Sequence, residues 1–184
     1  MAFYKWLVEG HAGREPAWPE PNVWSEPVKP RVNEDGYLTI VGAHVCILVP
    51  AKIDTLPAKL WKIEVDGEYD KDTWGTVWEK VRLDECYGSM LPDQGAEMAL
   101  CWAKAQYDLG YQVPRNSSVA EQFDKLEAGE VITHGAGYTP LTMAIRATEK
   151  GNNAWAYAHQ IALHCSSKDV LLEMARRTVD RLHK

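Results

Sequence analysis

The chain lacks most of the patterns that declare a chemistry outright. Its four cysteines, Cys46, Cys86, Cys101 and Cys165, are widely spaced with no Cys-x-x-Cys pair, which argues against a paired-thiol zinc or redox motif and reads as reduced thiols. No segment approaches the roughly eighteen apolar residues of a membrane span, and "MAFYKWLVEG" holds too short an apolar run for a secretory leader. The cytoplasm is therefore the expected setting, or the host cytoplasm if the chain is phage-encoded. Positive charge is also short, with 20 Lys and Arg against 26 Asp and Glu, a net charge of −6 and a pI near 5.5. The most basic stretch, "RRTVDRLHK", is interrupted by Asp180 and suits the last turns of a helix, whose dipole favours cations. Neither nucleic acid nor a membrane is an expected partner.

What is present is ordinary globular material. Hydrophobic residues make up 46% and charged residues 25% of 184 residues, enough to bury a self-sufficient core. The first half reads as β and the second as α. "FYKWLV" suits a strand, and it leads into a segment holding Pro16, Pro19, Pro21, Pro27 and Pro30, a density that precludes a helix or central strand. That segment is expected to be an extended loop pinned by Trp18 and Trp24. Strands are expected at residues 37–41 and 44–49, with a helical turn at 54–58. "LWKIEVDGE" then alternates, with Trp61, Ile63 and Val65 on one face and Lys62, Glu64 and Asp66 on the other, wet one. "EYDKDTWG" turns the chain into the strand "TVWEKVRL".

From Pro92 the period becomes helical. "DQGAEMALCWAKAQYDLG" stops at Gly110, "SSVAEQFDKLEAG" opens with the Ser118-x-x-Glu121 box, and "TPLTMAIRATEKG" carries Pro140 in its first turn. "NAWAYAHQIALHC" and "SSKDVLLEMARRTVDRLHK" follow, the last with Leu171, Met174, Ala175, Thr178, Val179 and Leu182 as its apolar stripe. The expected fold is α+β: a small twisted, mainly antiparallel sheet over residues 1–90, and a helical region over 91–184 packed against it as one compact unit. The helices are expected to cover the face of Trp61, Ile63 and Val65.

"GAHVC" places His44 and Cys46 two residues apart, on one face if the run is a strand. They could be a catalytic pair, metal ligands or core. A zinc site wants a second close pair, and His159, His164 and Cys165 do not converge at i, i+4 spacing. For catalysis the two backbones would stand about 6–7 Å apart, and "ILV" after Cys46 implies apolar surroundings that suppress the thiolate. The core reading is favoured, with Cys46 buried and His44 packed and hydrogen-bonded. "GYTPLTMAI" is similar to the start of one ankyrin repeat, but no second copy follows at a period of about 33. The carboxylates of "EVDGEYDKD" lack the spacing of an EF-hand loop. An anomaly lies in "TVWEKVRL", where alternation puts Glu79 on the apolar face of Val77, Val81 and Leu83. A β-bulge, a sheet edge or a cleft would each relieve it.

At "YKWL", "WPEP", "GAHVC" and "LWKIEVDGE" the chain resembles a family of uncharacterised proteins from actinobacteria and their bacteriophages, over about residues 4–83. That family usually has another cysteine shortly before G-x-H-x-C, which "LTIVGAHVC" lacks. No function comes with the resemblance. More distantly, the order of elements is similar to ADP-ribosyltransferases: "YKWL" stands where their Y-R-G or Y-H-G strand would, and "VWEKVRL" where the acidic strand would. This likeness implies NAD as cofactor, Glu79 polarising a ribose hydroxyl, and Lys5 or His44 holding the nucleotide. The departures are Lys5 in place of arginine or histidine, no Ser-Thr-Ser, and Val77 where a partner glutamate or glutamine would stand. Two readings follow. The chain is a small accessory protein that needs no cofactor and acts by protein–protein interaction, modulating a host protein; or it is an NAD-dependent ADP-ribosyltransferase using Lys5, His44 and Glu79. The first is favoured because the inventory for catalysis is incomplete.

Overall fold

The computed structural model describes residues 3–8, 17–31, 39–41, 56–71, 75–115, 118–149 and 153–182. The chain divides into two compact units, a sheet unit ending at Met90 and a helical unit beginning at Leu91. The class is α+β, with an antiparallel sheet in the first half and helices in the second.

The sheet contains β1 (Phe3–Val8), β2 (Thr39–Val41), β3 (Ala58–Lys71) and β4 (Gly75–Met90) in the order β1-β3-β4-β2. Every pairing is antiparallel. Strands β3 and β4 form a hairpin longer at both ends than the alternating runs suggest, since β4 continues through "DECYGSM". Ala58, expected in a helical turn, begins β3 instead; residues 54 and 55 of that turn, and the whole expected strand at 44–49, lie outside the described residues.

Ile63, Val81 and Leu83 form the buried centre of this unit, with Trp61 and Val65 half-buried against it, so the predicted face exists. Packing over it comes from β1 and from the proline-rich segment, through Phe3, Leu7, Trp18 and Val28. Trp18, expected to pin the proline-rich segment, is one of the residues packed here. Ala58 and Leu60, of opposite parity to Ile63, are also fully buried, which makes the start of β3 two-sided rather than half wet.

In the helical unit a short 3-10 turn (Pro92–Gln94) leads into α1 (Gly95–Asp108), followed by α2 (Ser118–Glu127), α3 (Thr139–Glu149), α4 (Ala154–Leu163) and α5 (Lys168–Leu182). Helix α1 is the central element and packs on α3, α4 and α5. Its first residue has to be glycine, because a Cβ at Gly95 would come within 2.6 Å of the Trp155 backbone nitrogen. Trp102, at the middle of α1, is fully buried and meets Trp155 edge-on at 6.3 Å. The stripe expected on α5 is buried at Met174, Ala175 and Thr178, but its centre is displaced to take in Val170 and leave Leu171, Val179 and Leu182 half-buried.

Polar atoms lock α5 to α1. The Trp102 indole N–H donates to Thr178 Oγ1 at 2.9 Å, and that hydroxyl donates to the Met174 carbonyl at 2.9 Å. At the rim Arg177 pairs with Asp108 at 2.8 Å and Arg181 with Glu97, so cations of "RRTVDRLHK" are engaged in ion pairs. Replacing Thr178 with valine preserves its shape but strands the indole N–H in the core. The expected loss is about 1–3 kcal/mol, read from urea unfolding followed by helical circular dichroism.

Glu173 accepts hydrogen bonds from both Arg176 and Arg177, at 2.7 Å each, and Arg176 above all holds its carboxyl down at about 2. The unfolded carboxyl titrates at about 4.3, so the folded state gains stability above that pH and loses it as the pH falls toward 2. Thermal midpoints of the wild type are expected to drop through this window. Glu173→Gln should start lower at neutral pH and show a shallower acid slope.

Candidate functional site

Three irregularities in the β3–β4 pairing decide where polar groups stand. Opposite Leu60–Trp61, β4 carries Tyr87 as an extra residue, and opposite Lys62–Ile63 it carries Asp84. The second bulge brings Asp84 against Lys62, with Nζ 2.6 Å from Oδ2, and this bond holds the ammonium above the usual lysine range. The first leaves Tyr87 beside Tyr4 at 5.8 Å, and burial chiefly pushes its phenol up to about 12.

The third bulge lies on β3 and resolves the Glu79 anomaly. Gly67 and Glu68 together oppose Glu79, with Gly67 at φ +84°. The Glu79 carboxylate lies over Gly67 and accepts the Glu68 N–H at 3.1 Å. A residue that alternation places on the apolar face thus has its charge turned toward a backbone donor exposed by the bulge. A glycine inside a strand pattern marks a bulge or a close approach, but not which residue of the next strand stands across from it.

Of the three residues that the transferase likeness implies, Lys5 and Glu79 are described and His44 lies outside the described residues, as does Cys46. Lys5 pairs with Trp61 in the register, and its Nζ stands 5.5 Å from the centre of the Trp18 ring. Glu79 faces Gly67, six residues further along β3, which is roughly 20 Å at the rise of a strand. The fold does not bring these two side chains to one site. Among the described residues no three potential metal ligands gather. The thiols of Cys101 and Cys165 are buried, and burial raises both.

A different place on the sheet unit is concave. A shallow groove of about 380 Å³ is lined by the consecutive β3 residues Lys62–Asp66 together with Phe3 and Trp24. Its wall is fixed by the proline-rich segment, which runs along the outer edge of β4. The N–H groups of Asn22, Ser25 and Val28 donate to the carbonyls of Leu83, Val81 and Glu79 at 2.9 Å each, and Ser25 Oγ accepts the Val81 N–H at 3.1 Å. This strap holds Trp24 over Arg82, the guanidinium 5.2 Å from the ring centre, while Arg82 also pairs with Glu64. Trp24 remains 39% exposed, beside the exposed Val23. Sequence reasoning named Trp24 as an anchor but missed Arg82 and Glu64, because nothing local shows which strand edge the strap will follow.

Compared with family models, curated proteins and solved structures, the chain finds no match in any of the three. Among the described residues no helix is long and apolar enough to cross a membrane.

The bulge yields a test. A Cβ at Gly67 would meet Glu79 Oε2 at 2.5 Å in a backbone region that side chains avoid. Gly67→Ala is expected to cost about 1–3 kcal/mol in urea unfolding, and less in a Glu79→Ala background, where the carboxylate contact is gone and the backbone strain and the 3.0 Å approach of the residue 79 Cβ remain. Equal costs in both backgrounds would contradict the packing described.

Proposed function

We propose that the chain is an accessory protein that acts by binding another protein through its sheet unit, modulating that partner in the cytoplasm. The observation that carries this reading is the groove walled by Trp24. An indole held by a hydrogen-bonded strap, stacked on an arginine and still 39% exposed, unites the two residue types most enriched at the centres of protein interfaces. Tyr69, 58% exposed and 4.8 Å from Trp78, adds a further aromatic on the same hairpin. The likeness to actinobacterial and phage proteins supplies a setting for this reading rather than a chemistry. The NAD-using alternative draws no support from the placement of Lys5 and Glu79, and no other observation favours it.

The test is quantitative cross-linking of the intact chain in an actinobacterial lysate, read by mass spectrometry. Wild-type protein is expected to enrich a defined partner, and Trp24→Ala, confirmed folded by circular dichroism, to lower that yield about tenfold. Glu127→Lys, on the far side of the sequence in α2, should retain it. Identical partner profiles for the wild type and Trp24→Ala would overturn the reading.

A further inference from the structure

The charge around the groove narrows what would occupy it. Both cations at the groove are already matched, Lys62 by Asp84 at 2.6 Å and Arg82 by Glu64. Asp66 is exposed and has no ion pair among the described residues, although Lys80 is its neighbour in the register. Beyond the Gly67 bulge Glu68 and Asp70 are exposed as well, Asp70 standing opposite Val77 and so off the Asp66 face. The imbalance extends to the whole sheet half, where residues 1–90 hold 15 acidic against 10 basic side chains, while residues 91–184 hold 11 against 10. A groove with this excess attracts cations and repels acidic or phosphorylated partners.

The wall of the groove already holds one cation in this way: the Arg82 guanidinium sits on the Trp24 ring and pairs with the Glu64 carboxylate. Aromatic face plus carboxylate is a combination that stabilises ammonium and guanidinium groups and does little for neutral ones. Phe3, Trp24 and Asp66 offer that combination a second time, open to solvent.

We infer that the groove docks a basic, extended segment of a partner protein, with an arginine or lysine side chain entering between Trp24 and Phe3 toward the Asp66 carboxylate. This rests on the interaction reading above and gives the partner its chemistry. The groove is open, shallow and lined by alternating charged and apolar residues of one strand, which suits a peptide side chain better than a small molecule enclosed in an apolar pocket.

The probe is a fluorescent peptide of alternating arginine and glycine, titrated against the full chain at low salt and followed by anisotropy. Saturable binding is expected, weakening on addition of salt, with no binding of the matching glutamate–glycine peptide. Asp66→Lys should weaken the arginine peptide at least about tenfold, whereas Glu127→Lys, an equal change of net charge in the helical unit, should stay within about twofold. Equal losses in the two variants would reduce the effect to net charge and overturn the site. If the arginine peptide fails to bind while a Trp24-dependent partner is still captured, the basic chemistry is wrong and the interaction reading stands. If both fail, that reading falls with it.

Discussion

The outer edge of β4 sets the terms for the sheet unit. Its carbonyls at Glu79, Val81 and Leu83 alternate along one side of the strand, and an edge left open would expose a template for pairing with other chains. Strand β2 reaches only residues 75–77 of that edge. The strap supplies donors at Asn22, Ser25 and Val28, at intervals of three where β4 uses two, so that Pro21 falls just before the first bonded position and Pro27 between the last two. A proline-rich segment therefore does an edge strand's work while lacking the regular donors that would let a further strand join it.

That one pairing organises much else. It carries Trp18 and Val28 over the Ile63 cluster and sets Trp24 on Arg82, which in turn holds Glu64 across the hairpin. The groove exists because an aromatic wall stands at the edge of a strand that alternates charged and apolar residues. The bulges on β4 shift the parity twice, so that Ala58 pairs with Met90 and Ile63 with Leu83, and Asp84 is left free to meet Lys62.

The helical unit solves a similar problem within a different geometry. Its central helix is buried on several sides, and the polar groups it cannot avoid are paired: Trp102 with Thr178, and Gln106 with the Ile161 carbonyl at 2.9 Å. A fully buried indole or amide without such a partner would cost more than the contact gains. The surface pairs of Arg176 and Arg177 add modestly by comparison, being partly exposed.

Periodicity in the sequence was sufficient for the class and for most elements, because helical and strand periods are local properties of the chain. Gly110 and Gly129, at φ +68° and +76°, stand just past helix ends where sequence reasoning put the stops. The wet row Lys62, Glu64 and Asp66 was equally legible. Three things were not. The partner of the strap depends on which backbone carbonyls lie unpaired far away in sequence, the burial of Ala58 and Leu60 depends on more than strand alternation, and the fate of Glu79 depends on a bulge in the opposite strand. Each is a pairing between distant residues, and alternation along one strand carries no information about what stands across from it. The sequence determined which side chains share a strand face between bulges, as over Trp61–Asp66; only the tertiary structure decided that Glu79 would meet a backbone N–H, that Lys5 would lie over Trp18, and that Trp24 would wall a groove.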